Sequence, residues 1–277
     1  MVPVALALGA SLAWGASDFL AGLNTRRLAL LWVLLVSQAT GLVLVGVAAV
    51  ASGAPLPGGD AALLATGAGI AELIAFAALY KALAVGPMSV VAPISAMAAL
   101  LPITVGLAAG HAPTGAQAAG MALALGGAAL ASFQYGGDHR RVATGVGLAV
   151  VAALGFGAFF VGTDLAADDG ALWAVAINRA AAVSVLVVVV LALRRPSPLK
   201  RDQIAPLAAV GALDISANVM FAVALTVGMA AAVSVLGSLY PVATVILARA
   251  ILREELSFSQ RGGVLAALAG IGLVGLA

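Results

Sequence analysis

The chain has no cysteine, which excludes disulfides and thiolate-bound metals. Its two histidines, His111 and His139, fall between apolar segments, so neither a Ser–His pair nor a His-rich metal set arises inside a helix. Charge is scarce: Asp, Glu, Lys and Arg make up 9% of the residues, against roughly 25% in a soluble domain that must cover its surface. Aromatics reach only 5%. No Walker-type Gly-rich loop is present, so ATP is excluded as a direct energy source. What fills the chain is apolar, with 64% hydrophobic residues among 277 and a mean hydropathy of +1.18. Lipid must therefore be its solvent. The isoelectric point near 9.4 does not signal nucleic acid, because the basic residues stand between apolar segments, where they set topology.

Apolar runs of about 20 residues, each long enough to cross a hydrocarbon core as a helix, recur along the whole length. They predict an all-α integral membrane protein with ten transmembrane helices, at 2–22, 30–52, 60–82, 87–108, 115–134, 143–164, 171–193, 204–227, 230–250 and 260–276. Turn-forming clusters separate them, such as Gly53-Ala54-Pro55-Leu56-Pro57-Gly58 and Arg194-Arg195-Pro196-Ser197-Pro198. The first segment lacks a basic leader and its pattern returns in the second half, so it reads as a mature helix and not a signal peptide. Gly and Ala are abundant, as close helix packing in lipid requires.

A shift of 142 residues brings two halves into register, 1–137 and 138–277. Ala82-Leu83-Ala84-Val85-Gly86 then meets Ala224-Leu225-Thr226-Val227-Gly228, Gly69 meets Gly211, and the acids Glu72 and Asp214 coincide. At 143, Ser95 meets Ser238, Gln117 meets Gln260 and Gly120 meets Gly263. Five helices per repeat is an odd number, so the halves must cross the membrane in opposite senses, the inverted-repeat design of secondary transporters.

Twelve of the thirteen basic residues fall beside the odd-numbered loops: Arg26, Arg27, Lys81, Arg140, Arg141, Arg194, Arg195, Lys200, Arg201, Arg249, Arg253 and Arg261. The even loops carry Asp60, Asp164, Asp168 and Asp169 instead. The positive-inside rule puts the odd loops in the cytoplasm of a bacterial inner membrane and both termini outside.

Four ionisable residues stand inside helices: Asp18, Glu72, Arg179 and Asp214. Each costs about 2.5–3.5 kcal/mol at mid-membrane on insertion scales, so it faces a cavity or a partner. Glu72 and Asp214 hold equivalent repeat positions near the centres of their helices. Asn218 shares a helical face with Asp214, as Phe76 does with Glu72. The plainer reading pairs Arg179 with Asp214 or Glu72 as a structural lock and leaves Asp18 to cap a neighbour near the interface. The functional reading gives Glu72 and Asp214 to protons or a cationic substrate, since carboxylates held away from water are where a carrier exchanges protons. Trp14, Gln38, Tyr80, Ser95, Ser238 and Tyr240 are weaker candidates, because isolated polar groups in membrane helices commonly bond a neighbouring helix. Pro93, Pro102 and Pro241 fall inside the fourth and ninth segments and predict kinks there.

Several strings resemble the drug/metabolite transporter superfamily, in its ten-helix branch of two EamA domains. They are Trp14-Gly15 with Ser17-Asp18-Phe19, Tyr80-Lys81-Ala82-Leu83-Ala84-Val85-Gly86-Pro87, Pro93-Ile94-Ser95 with Pro102, Tyr240-Pro241, and Leu252-Arg253-Glu254-Glu255-Leu256-Ser257 to Gln260-x-x-Gly263. The resemblance spans essentially the whole chain. It implies a central cavity lined by the first four helices of each half, the fifth and tenth being peripheral, and export or exchange of small metabolites. Two departures stand out. Gly110-His111-Ala112 replaces the acidic junction in the first half, and members usually keep both termini in the cytoplasm, opposite to the charge count.

The expectation is a secondary active transporter of a small metabolite or drug-like solute (amino acid, amine or organic cation), proton-coupled, as monomer or homodimer and without cofactor. A passive channel or facilitator and an uncoupled exchanger are the alternatives. An enzyme is disfavoured, since the acids have no nucleophile beside them.

Overall fold

A computed structural model describes residues 2–101, 105, 114–132, 139–167, 170–194, 199–227, 236–237, 239–254 and 256–276. Among these there is no strand. In lipid each backbone N–H and C=O must find its partner within the protein, and a helix does this locally. The helices are α1 (Val2–Thr25), α2 (Leu30–Ala51), α3 (Gly59–Val85), α4 (Met88–Ser95), α5 (Gly115–Ser132), α6 (His139–Ala167), α7 (Ala171–Leu193), α8 (Arg201–Val227), α9 (Tyr240–Leu252) and α10 (Phe258–Leu276). A 3₁₀ turn, Ala96–Ala99, continues α4.

Six helices (α1, α2, α3, α6, α7 and α8) contain stretches long and apolar enough to cross a membrane, while Met88–Ala98, Tyr240–Leu252 and Arg261–Leu273 are shorter apolar helices. Leu12, Val43, Val47, Leu63, Val188, Leu191 and Leu265 are well exposed on the outside, as a lipid-facing surface demands. This is a multi-pass membrane protein.

Two expectations change. The segment 87–108 is not one plain helix: α4 ends at Ser95, two residues after Pro93, and tightens into the 3₁₀ turn. A proline removes an i→i−4 bond, and a tighter turn is one way to accommodate the loss. Pro241 does not kink a helix interior; it stands in the first turn of α9, where a missing N–H costs nothing. Pro102 and Ser238 lie outside the described residues.

The closest helix pairs are α3 with α6, α1 with α8, and α5 with α10. Ser17 of α1 donates to the Val210 carbonyl of α8 at 2.9 Å. The largest apolar core gathers Phe19, Leu34, Leu83, Met88, Val91 and Leu256 around the end where α1 finishes and α4 begins. Two of its members, Phe76 and Leu79, extend from it toward the middle of the protein along α3.

At that end a polar clasp closes the core. Arg253, in the left-handed region (φ 55°), terminates α9, and Glu254 follows it. The Glu254 carboxylate accepts the backbone N–H of Met88 (3.1 Å) and of Ser89 (3.0 Å) and the Ser89 hydroxyl (3.0 Å). Arg26 reaches the same carboxylate at 3.4 Å and the Leu83 carbonyl at 3.3 Å. Pro87 offers α4 no capping side chain, so Glu254 supplies the missing acceptor from another helix.

Candidate functional site

The site is built by two glycines placed one turn ahead of two acids. Gly69 of α3 lies against the backbone of Asn178 in α7, and Gly211 of α8 lies against the backbone of Ser37 in α2. A Cβ at either glycine would collide with main chain, so only glycine lets these helix pairs approach so closely. Residues i and i+3 share a helical face. Glu72 and Asp214 therefore stand beside the same two contacts, and the residues following Asn178 and Ser37 are Arg179 and Gln38.

Arg179 joins both acids. Its Nη2 lies 3.1 Å from Glu72 Oε1 and 2.6 Å from Asp214 Oδ2, and its Nη1 donates to the Gln38 side-chain carbonyl. The guanidinium also sits 5.4 Å from the centre of the Phe76 ring. All four polar side chains are buried. Asn178, fully buried, hydrogen-bonds Thr163 at 3.1 Å. Turning its amide also lets the nitrogen donate to the carbonyls of Ala65 and Ala174, which ties α7 to α3 and fixes Arg179.

Beside this knot lies a partly enclosed cavity of about 300 Å³. Trp14 and Asp18 enter it from α1, and Glu72, Phe76 and Leu79 from α3. Phe156, Phe159 and Phe160 line it from α6, Asp214, Asn218 and Phe221 from α8, with Arg179 between. Tyr240 of α9 completes the wall, with Ala96, Ala98, Gly237 and Ile271. Of the three Trp, three Tyr and eight Phe in the chain, seven line this one cavity. Phe156, Phe159, Phe160 and Phe221 are not among the candidates from sequence, and the scarcity of aromatics in the chain is the signal that points to them.

Of the candidates from sequence, Trp14, Asp18, Glu72, Arg179, Asp214, Asn218 and Tyr240 meet at the cavity. Gln38 stands behind Arg179. Tyr80 is buried against Phe76, with ring centres 5.3 Å apart, and stands away from the cavity wall. Ser95 is buried and donates to its own helix at the Ala92 carbonyl, 2.9 Å away. Asn218 donates to the Asp214 backbone carbonyl at 2.8 Å. Asp18 is no interfacial cap: it is 8% exposed, and that little exposure is to the cavity. Two more placements differ from expectation: α10 contributes Ile271 to the wall, and α2 contributes no described residue directly.

The charges are unevenly satisfied. Arg179 is held by two carboxylates, while Glu72 Oε2 has no hydrogen-bond partner among the described residues. No ion pair or hydrogen bond joins Asp18 to a described residue either. Three acids thus face one arginine.

Fold and site together define a class: a multi-pass helical membrane protein with an aromatic-walled cavity and an ionic centre between its helices. Residues 143–276, in the second half of the chain, match the family described as the EamA-like transporter family, the family that the motifs there resemble. Thirteen chains of solved structures match as well. One, a crystal structure, superposes with a TM-score of 0.64 over 98% of this chain and 95% of that chain, at 17% identity, a likeness of fold alone. No curated protein matches the sequence.

Proposed function

We propose that this protein is a secondary active carrier that moves a small solute across the bacterial inner membrane by alternating access, coupled to protons. The observation that carries the reading is the arginine held between Glu72 and Asp214 beside a partly enclosed cavity, with carboxylate oxygens left over. A carrier needs groups that can exchange a proton or a cation while shielded from water. Surplus acids in a cavity meet that need.

Ten membrane spans in two inverted repeats, 1–137 and 138–277, belong to the same proposal. Reciprocal contacts support it. A Cβ on Gly15 would fall 2.6 Å from the Tyr240 carbonyl and 2.5 Å from the Ala243 Cβ, and one on Gly157 would fall 2.9 Å from the Ala98 carbonyl and 2.5 Å from the Leu101 Cβ. Moving by 142 residues turns the first contact into the second with the halves exchanged. In the same way Gly127 lies against Gly263 and Ala267, and Gly270 against Gly120 and Ala124, at a shift of 143. Such reciprocity is what a twofold axis between the repeats generates.

The sidedness has support too. Arg26 and Glu254, from two odd-numbered loops, and Met88 and Ser89, at the start of α4 just after a third, meet in one cluster. Trp173, in the first turn of α7 just after an even-numbered loop, donates a 2.9 Å hydrogen bond to the carbonyl of Ala54 in another even-numbered loop. With the basic loops cytoplasmic, both termini lie outside.

Counterflow and pH-jump transport in proteoliposomes test the assignment. E72Q and D214N should each abolish or strongly reduce proton-driven accumulation while the protein stays folded. Wild-type coupling in both variants would sink it.

A further inference from the structure

The ionic centre and the aromatic wall divide the cavity into two unlike ends. At one, Arg179 stands over Phe76, whose ring packs edge-on against Phe156 with centres 4.9 Å apart. That cation and that aromatic face already have each other. At the other end, Trp14 lies 5.3 Å from Phe221 and 6.2 Å from Tyr240, centre to centre, so α1, α8 and α9 each contribute one ring to a box. Among the described residues no side-chain cation stands over these three rings.

Asp18 is four residues after Trp14 on α1 and shares its face. It is more than nine-tenths buried, lines the cavity, and has no ion-pair or hydrogen-bond partner among the described residues. It lies within electrostatic reach of Tyr240 and of Asp214. A carboxylate with no partner among the described residues, beside aromatic rings set at an angle to one another, is an arrangement that recognises ammonium groups, through charge and through the negative face of a ring.

We infer that the Asp18 end of the cavity, walled by Trp14, Phe221 and Tyr240, binds the ammonium head of an organic monocation with an apolar body the size of one or two rings. The head sits against Asp18 and the box, and the body lies along the remaining phenylalanines. A volume of about 300 Å³ fits a solute of that size. The same geometry selects against amino acids and anions. Arg179 is the only cation on the described wall, and both its acidic partners already hold it, so an added carboxylate would find three acids and no unpaired positive group. This deepens the carrier reading and rests on it for transport, though not for binding.

The test uses full-length protein in nanodiscs and three probes with one common body: benzyltrimethylammonium, L-phenylalanine and 3-phenylpropionate. Calorimetry reports binding in every variant, and tryptophan fluorescence adds a second readout where Trp14 is retained. The permanent cation should bind at least tenfold more tightly than the zwitterion or the anion. D18N should weaken it tenfold or more and D18E restore most of that loss; W14A and Y240A should each cost about 3- to 30-fold, the span of a desolvated cation–π contact. Equal or tighter binding of phenylalanine or phenylpropionate would overturn the inference, as would an unchanged affinity in D18N. The probe comparison uses the unmutated protein, so it holds even if a variant misfolds. Proteoliposome counterflow separates the two readings. Binding of the cation through Asp18 without exchange would refute the carrier and leave the site, whereas exchange of phenylalanine without cation binding would refute the site and leave the carrier.

Discussion

If the two halves rock about the cavity, the Glu254 clasp must break whenever the basic side opens, because it ties the α9–α10 junction to the start of α4 and to Arg26. Its contribution can be worked from its contacts. Glu254 receives two backbone N–H groups and one hydroxyl at 3.0–3.1 Å at the first turn of α4, which has no capping side chain of its own. Losing such a cap costs about 0.5–2 kcal/mol. Its negative charge at a helix N-terminus adds roughly 0.3–1 kcal/mol. Arg26 adds little, since it is about 29% exposed and its 3.4 Å pairing is near the surface. The clasp is therefore worth about 2 kcal/mol to the conformer closed on the basic side, and removing it should shift the conformational ratio about 30-fold.

The absence of cysteine makes this directly measurable. A single cysteine at Leu79, on the cavity wall, reports access to a membrane-impermeant maleimide added from either face. In L79C with E254A, labelling from the basic side should rise by up to about 30-fold relative to L79C alone, and labelling from the other side should fall. E254Q keeps one acceptor and loses the charge, so it should lie between. R26A should change the ratio by less than about fivefold. A ratio in E254A within threefold of the parent would refute the reasoning, even if the variant melted earlier, since a helix cap with no gating role also stabilises.

R179M should destabilise the protein by about 3–5 kcal/mol, because it strands two buried carboxylates, while R179M/E72Q/D214N should recover much of that loss in a detergent melting assay. An R179M protein as stable as the parent would mean that the acids are not held by the arginine. For topology, a phosphatase fused at the C-terminus should be active and a fluorescent protein fused there dark; the reverse pattern would place the basic loops outside.

The four mid-helix ions were legible because charge is so rare in this chain that each one stands out against its cost in lipid. Their partnership was not. Nothing in the separation of Glu72 from Arg179 says that they touch; that depends on how closely α3 and α8 approach α7 and α2. The approach was in fact written in the sequence, as Gly-x-x-Glu at 69–72 and Gly-x-x-Asp at 211–214, but aligning those pairs reveals a repeat without revealing which backbone each glycine admits. The aromatic box was harder still: Trp14 and Tyr240 stand as weak candidates in the sequence, Phe221 does not, and nothing there brings three rings from three helices together. Asp18 is the instructive case. Its place late in α1 allows an interfacial cap as well as a place in the site, yet the last turns of α1 are covered by the core around Leu83 and Met88 and by the clasp above it, and Asp18 lines the cavity. A carboxylate covered on the near side of the membrane, with no partner among the described residues, is left to face what the cavity admits. For that reason the clasp and the Asp18 site are best regarded as one device, with Glu254 governing which side of the membrane supplies the cation that Asp18 lacks.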